Sequence, residues 1–313
     1  MSRSIYIARR LVLMIPTALG ITLVTFVMIH LIPGDPAATL LGMRATPQKV
    51  ALLHREWGLN KPLPEQYWLF LTRVLRGNFG DSLFYNSPAT KIIINQSTVT
   101  LLLIVYAAIL SVVIAVPLAI VAATQKDGPA DQAVRAIPLV GLGMPSAWVR
   151  IMLILLLGLK ARVFPVGGYG TGFVGHLHSL FLPSLTLALG IAPVLVRSLR
   201  ASLIDALEAE YVATARSKGI PERRVMLRHA VRNAIISSVS ILGLQIAWLI
   251  SGTVVVETVF GLPGVGALMV NSIYRRDFPV VQGITFMLAL AVIVTNLGTD
   301  IARSLLDPRV RLE

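Results

Sequence analysis

Stretches of about 20 apolar residues recur along this chain, and they constrain its fold more than any other feature. A helix of that length crosses a hydrocarbon core about 30 Å thick. Six such spans fit the sequence, at residues 11–32, 98–123, 136–159, 180–198, 233–256 and 280–302. Only 14% of the 313 residues are charged, whereas a soluble domain carries about 25%. We therefore predict an all-α fold, a polytopic transmembrane helical bundle of about six spans.

The placement of Lys and Arg predicts how this bundle is oriented, because basic residues concentrate in cytoplasmic loops. With the amino terminus inside, the inside segments hold sixteen Lys and Arg residues and the two short outside loops hold four. The 33–97 loop holds seven, but loops beyond roughly 60 residues are translocated largely regardless of charge. We expect a multi-pass protein of the cytoplasmic membrane with both termini in the cytoplasm. This topology accounts for the net charge of +13, so no nucleic-acid partner is expected.

The spans divide the chain into three parts. Residues 1–32 form a cytoplasmic amino terminus and a first transmembrane helix, because the apolar run is too long for a signal peptide and no cleavage site follows it. Residues 33–97 form an extracytoplasmic loop. Residues 98–313 form a five-span core that includes a cytoplasmic segment at 197–232.

The 33–97 loop carries the signals of two short helices. Thr46 is placed as a cap and Gly58 as the stop of the first helix, and Pro64 and Gly77 bracket the second. The second helix has an apolar stripe at helical spacing, formed by Phe70, Leu71, Val74 and Leu75. Such a stripe fits either a lid packed on the span ends or a contact surface for an external partner.

Two glycine-rich strings resemble nucleotide-binding motifs but lack their context. "GTGFVG" (Gly170–Gly175) has no preceding strand, and "GLPGVGAL" has Ala267 and Leu268 where a phosphate loop needs Lys and Ser or Thr. The chain contains no cysteine, no HExxH and no GxSxG. His176 and His178 supply at most half a metal site. We expect no catalytic residue, no metal site and no cofactor on this chain.

The polar 197–232 segment lies between two spans and predicts a helix, a glycine-hinged turn and a second helix. Acidic Asp205, Glu208 and Glu210 precede basic Arg216 and Lys218, an order that suits a helix dipole. Gly219 stands where a left-handed residue ends a helix, and Pro221 and Glu222 suit the first turn of the next. The segment is either a protruding element that inserts into a groove of a soluble partner or a solvated loop whose charges fix topology.

Particular strings in the sequence resemble a known family. "EYVATARSKGIPERRVMLRHAVRNA" (Glu210–Ala234) resembles the cytoplasmic "EAA" signature of ABC-importer permeases in the form used by the peptide and nickel branch. Ala215 and Gly219 match that signature, and Ala213 stands where the general form has Glu. Three further strings follow the branch in the same order, "HLIPGDPA", "WGLNKPLPEQYWLFLTRVLRGNFGDSL" and "ETVFGLPGVGALMVNSIYRRDFPVVQG".

The resemblance implies a type I ABC importer permease that moves di- or oligopeptides by alternating access. It implies a homologous permease subunit, two ATPase subunits that carry the ATP and Mg, and an extracytoplasmic substrate-binding protein as partners, within membrane lipid. The signature is the family's coupling helix, which docks on the ATPase. The residues that it assigns to ATPase coupling are Glu210, Ala213, Ala215, Arg216, Lys218, Gly219 and Arg223.

Two ionisable residues near membrane depth are candidates for the substrate pathway. Arg150 lies within the third predicted span, where a charge costs about 2.5–3.5 kcal/mol. It is expected to face the pathway and select carboxylate-bearing substrates, or to pair with lipid phosphate or another helix. Glu257, at the outer end of the fifth span, either contacts substrate or anchors the following loop.

Two other classes of protein make predictions that differ from those of a permease. A self-sufficient secondary transporter or channel predicts inverted repeats and carboxylates at membrane depth. The sequence shows no obvious repeat, and Glu257 and Asp300 lie by span ends. An intramembrane enzyme needs a paired nucleophile and base, and His30 has no evident serine partner.

Overall fold

A computed structural model describes residues 3–31, 35–42, 45–82, 84–143 and 146–306. The secondary structure in these ranges is helical except for one pair of two-residue strands, so the all-α prediction is confirmed. The helices before the strands are α1 (Arg3–His30), α2 (Pro36–Leu41), α3 (Pro47–Trp57) and α4 (Leu63–Leu75). Strands β1 (Asp81–Ser82) and β2 (Ser87–Pro88) pair antiparallel, with Asp81 opposite Pro88 and Ser82 opposite Ser87.

The remaining elements form the long helical part of the chain. They are α5 (Ala89–Thr124), α6 (Pro129–Gly143), α7 (Ser146–Leu153), π1 (Ile154–Lys160), α8 (Gly172–Glu208), α9 (Glu210–Ser217), α10 (Glu222–Arg224), π2 (Val225–Ala230), α11 (Val231–Phe260), α12 (Val265–Tyr274) and α13 (Phe278–Leu306), where π1 and π2 are π-helices.

Among the described residues, four helical stretches are long and apolar enough to cross a membrane. They are Ala89–Thr124, Gly172–Glu208, Ser238–Phe260 and Phe278–Ala302. Helix α1 carries a shorter apolar stretch, Val12–Met28. The described residues of the third predicted span, 136–159, belong to α6, α7 and π1, and residues 144–145 lie outside the described ranges. The boundary drawn at 97/98 falls within the continuous helix α5.

The chain forms two compact units, of which the smaller comprises residues 4–100 and 263–293. Here Thr46 caps α3 by accepting from the N–H of Lys49, and Gly58 ends the helix at φ +71°, both as predicted. Phe70 and Val74 of α4 pack with Phe26 of α1, so the α4 stripe belongs to a core. Leu75 is the exception, 77% exposed, because it lies about 140° around the helix from Phe70.

The larger unit comprises the described residues of 1–3, 101–262 and 294–313 and is built around α8. One face of α8 buries Leu199, Leu203 and Ala206 against Ala119 of α5 and Met226 of π2. A second cluster joins Leu195 and Val196 of α8 to α5 and α6. Helix α8 runs without interruption from this core into the 197–232 segment, so the segment stands on a rigid support.

Candidate functional site

A tight turn at Gly219 organises the 197–232 segment. Helix α9 ends at Ser217, and Gly219 takes the left-handed conformation with φ +75°. The Gly219 N–H donates to the Arg216 carbonyl at 2.9 Å, and the Ile220 N–H donates to the Ala215 carbonyl at 3.2 Å. These two bonds form a Schellman motif, which satisfies the last carbonyls of the helix. The prediction that Gly219 ends a helix in the left-handed region is confirmed.

A small apolar core holds the underside of this turn. Val212 and Ala215 of α9 are buried against Val225 of π2, and Ile220 packs on the same cluster. Contact between the residues on either side of the glycine commonly accompanies a Schellman motif. Ala215 is therefore part of the turn's own core, 6% exposed, whereas Ala213 is on the exposed face of α9.

An ion pair closes the turn on its outer side. The Arg216 guanidinium donates through Nε to Glu222 Oε2 at 3.1 Å and through Nη2 to Oε1 at 2.6 Å. This pairing raises the pKa of Arg216 and lowers that of Glu222. Both side chains are about half exposed, so the pair contributes roughly 0–1 kcal/mol. This ion pair of Glu222 was not predicted from the sequence. The position of Glu222 just after the turn, six residues from Arg216, is the sequence feature that indicates it.

The other predicted coupling residues share one property, which is exposure to solvent. They are Glu210, Ala213, Lys218, Gly219 and Arg223. The turn therefore presents small and charged groups outward while its apolar side chains face inward, an arrangement suited to docking against a polar, shape-matched groove.

A buried carboxylate joins the start of α6 to α8 and so supports the segment from below. Asp131 is fully buried and accepts from Arg200 Nε at 2.5 Å, Arg200 Nη2 at 2.6 Å and Arg135 Nη2 at 2.5 Å. The Asp127 N–H also donates to it, at 3.0 Å. The Arg200 guanidinium, followed by these other donors, holds the pKa of Asp131 far below its usual range.

A second ion pair links the same two parts of the chain. Lys126, which follows α5, contacts Glu208 at the end of α8 at 2.5 Å. The α5–α6 connection is thus fixed to α8 at two points, Arg200 and Glu208. No motif or spacing in the sequence links Asp131, Arg200 and Glu208 as a cluster.

The two predicted pathway residues are both buried in the larger unit. Arg150, in α7, is 9% exposed, and Glu257, in the last turn of α11, is fully buried. The Glu257 carbonyl accepts from the Leu262 N–H at 2.9 Å, and Gly261 follows the helix at φ +61°. The Glu257 backbone therefore takes part in the turn that starts the next loop.

His176 and His178, which supply at most half a metal site, each contact a backbone oxygen. His176 Nδ1 lies 3.1 Å from the Tyr169 carbonyl oxygen, and His178 Nε2 lies 2.8 Å from that of Val163. Each ring is also packed against an aromatic side chain, Tyr169 or Phe164. Both histidines therefore help to fold the loop before α8.

Comparison with known proteins places these features in a family. Residues 115–312 match the family described as "binding-protein-dependent transport system inner membrane component", and residues 3–89 match the amino-terminal region of such membrane components. A solved structure titled as an amino acid ABC transporter with histidines has a similar fold, with a TM-score of 0.50 at 19% identity, over 71% of this chain and 95% of the other.

Relatives of known name match along nearly the whole chain. The glutathione transport system permease protein GsiC of Pectobacterium atrosepticum is 36% identical, over 98% of both chains. The oligopeptide transport system permease protein AppB of Bacillus subtilis is 34% identical, over 97% of this chain and 98% of its own. The dipeptide transport system permease protein DppB of Escherichia coli is 33% identical, over 98% of both. The chain therefore belongs to the family of inner-membrane components of binding-protein-dependent transport systems, as a multi-pass permease subunit of an ABC transporter.

Proposed function

We propose that this permease serves an ATP-driven importer of di- or oligopeptides that works by alternating access. Relatives named for oligopeptide, dipeptide and glutathione transport support this substrate class, since glutathione is itself a small peptide. The proposed partners are a homologous permease subunit, two ATPase subunits that hold ATP and Mg, and an extracytoplasmic substrate-binding protein. This chain would carry no catalytic residue and no cofactor of its own.

The proposed coupling element is the turn around Gly219. In the proposed topology, this turn and both termini of the chain lie in the cytoplasm. The observation that carries the proposal is the build of the turn: a Schellman motif with a buried underside and an exposed outer face, continuous with α8. A displacement of this turn by the ATPase would be transmitted to the helix bundle, because packed helices move as rigid bodies. Lys218 and Arg223 are exposed cations that would pair with carboxylates of the ATPase.

Replacement of Gly219 by proline tests the coupling role. Proline cannot adopt φ +75° and lacks the N–H that donates to the Arg216 carbonyl. Gly219→Asn is the matched control, because asparagine tolerates the left-handed region and keeps the N–H. Tagged wild type, Gly219→Pro and Gly219→Asn are purified from the native membrane in mild detergent, and the subunits that accompany each are identified.

The proposal expects a second permease and ATPase subunits with the wild type and with Gly219→Asn. Gly219→Pro should keep the permease pair and lose the ATPases. Full retention of the ATPases by Gly219→Pro would contradict the docking role. A wild-type chain that purifies alone and moves solute without ATP would instead establish the secondary transporter.

A further inference from the structure

A cavity of about 640 Å³ lies where the α5–α6 connection meets α8, and it is outside the proposed coupling turn. Four of its lining residues are basic, Lys126, Arg135, Arg197 and Arg200, and one is acidic, Asp205. Apolar side chains of Val134, Val196 and Ile204 complete the wall. The lining therefore combines guanidinium and ammonium groups with an apolar surface.

Three of the four cations of this cavity already pair with carboxylates. Lys126 pairs with Glu208, Arg135 with Asp127 and Asp131, and Arg200 with Asp131. Asp131 is buried beneath Arg135 and Arg200 and is not itself a lining residue. An arginine has five N–H donors, and Arg200 gives only those on Nε and Nη2 to Asp131. Arg197 is exposed and makes no ion pair within the described part of the chain. The site thus offers oriented donors to an additional anion.

The position of the cavity along the helices indicates where that anion comes from. Lys126 lies two residues past the end of the apolar helix α5, and Arg197 and Arg200 come after the apolar run Ile191–Val196 of α8. The cavity is therefore at the boundary between the hydrocarbon and the aqueous phase, on the side proposed to be cytoplasmic. Basic pockets between transmembrane helices on that side suit acidic lipid headgroups.

We propose that this cavity binds the phosphate of an anionic phospholipid. The phosphodiester would accept hydrogen bonds from Arg197 and from the remaining N–H groups of Arg200. The start of an acyl chain would lie along Val196 and Ile204. Bound lipid would then brace the connection between α5 and α6 against the helix that supports the coupling turn. This inference rests on the orientation given under the proposed function.

Native mass spectrometry of the whole purified complex tests the assignment. The complex is delipidated in detergent and titrated with phosphatidylglycerol or phosphatidylcholine of identical acyl chains. The variants are Arg197→Gln and Arg197→Lys. Arg232→Gln is the matched control, because Arg232 is an exposed arginine of the same segment outside the cavity. Each spectrum also reports subunit composition, so a failure of assembly is separated from a failure of lipid binding.

The proposal expects tighter binding of phosphatidylglycerol than of phosphatidylcholine. Each cation near the membrane surface changes the affinity for an anionic headgroup by about fivefold. Arg197→Gln should lose about that factor, whereas Arg197→Lys and Arg232→Gln should keep most of the affinity. Equal binding of the two lipids, or an equal loss in Arg197→Gln and Arg232→Gln, would overturn the proposal.

A competition arm separates a lipid phosphate from a soluble one. Inorganic phosphate is added at millimolar concentration to the complex loaded with phosphatidylglycerol. Retention of the lipid supports the lipid assignment, because the apolar wall adds affinity that phosphate alone lacks. Displacement of the lipid would show a site for soluble phosphoryl groups and would overturn it. An intact complex that binds no phosphatidylglycerol would also overturn the proposal.

Discussion

At the scale of single residues, the Asp131 carboxylate joins the start of α6 to α8. It is fully buried, and all of its side-chain partners are guanidinium groups, from Arg135 and Arg200. Removing one partner of a buried ion pair is costly, because the remaining charges lose their compensation. Asp127 offers a comparison, since it pairs with Arg135 alone and is 71% exposed.

We expect Asp131→Asn to lower the free energy of unfolding by roughly 1–3 kcal/mol, since it removes charge-assisted hydrogen bonds at a buried group. Asp127→Asn, the control, should change it by less than about 1 kcal/mol because its ion pair is exposed. Thermal unfolding of the purified protein in detergent measures both. Equal midpoints for the two variants would contradict a special role for Asp131.

The pH dependence of this difference follows from the lowered pKa of Asp131. A carboxylate whose pKa falls on folding stabilises the native state above its unfolded pKa and loses that contribution as pH falls through its folded pKa. The difference in unfolding temperature between wild type and Asp131→Asn should therefore be constant from about pH 5 to 8 and narrow only in stronger acid. A difference that disappears near pH 6 would contradict the assigned pKa direction.

Arg150 yields a prediction about transport at the same scale. Because the Arg150 side chain is 9% exposed within an apolar helical segment, its charge is expected to interact with a partner subunit or a substrate. If it selects carboxylate-bearing peptides, Arg150→Ala should reduce peptide uptake by tenfold or more, and Arg150→Lys should retain part of it. Uptake into vesicles is measured at matched membrane levels. Unchanged uptake in Arg150→Ala would exclude the pathway role.

At the scale of elements, one glycine allows two long helices to approach closely. A Cβ atom placed on Gly243 of α11 would lie 1.9 Å from Thr299 Oγ1 and 2.6 Å from Thr299 Cβ of α13. Rotation of the threonine cannot relieve both contacts, because its Cβ does not move with χ1. Small residues at helix interfaces in membranes bring backbones together in this way.

We expect Gly243→Ala to separate α11 from α13 and to destabilise the protein by roughly 1–3 kcal/mol, the usual cost of overpacking. Gly190→Ala in α8 is the matched control, since nothing beyond its own stretch of helix backbone lies within 4 Å of the Cβ position. It should be neutral or stabilising because alanine favours the helix. The thermal unfolding midpoints of both variants are measured in detergent and compared with that of the wild type. A Gly243→Ala protein as stable as the wild type would disprove the close approach of α11 and α13.

At the scale of the whole molecule, the absence of cysteine from the sequence makes the orientation directly measurable. Glu56 on α3 and Ser217 on α9 are both exposed and lie in parts of the chain proposed to be on opposite sides of the membrane. In intact cells or spheroplasts, a membrane-impermeant maleimide should label Glu56→Cys and should label Ser217→Cys only after lysis. The reverse pattern would invert the proposed topology.

The sequence by itself determined the features that depend on neighbouring residues. Apolar length predicts helices that can cross a membrane, because every backbone group in lipid must be satisfied within its own segment. The left-handed conformation of Gly219 and the cap at Thr46 were likewise predictable, since turns and caps are set by adjacent residues. The strings that indicated the family are local features of the same kind.

Only the tertiary structure decided which distant residues meet. Asp131 and Arg200 are 69 positions apart, and no periodicity links them, because helix packing alone brings the α5–α6 connection to α8. Packing also placed Ala215 inside the turn's core while leaving Ala213 exposed, although the family resemblance implies the same coupling role for both. Burial and long-range charge pairing are properties of the assembled helices, so the basic cavity beside α8 became visible only in three dimensions.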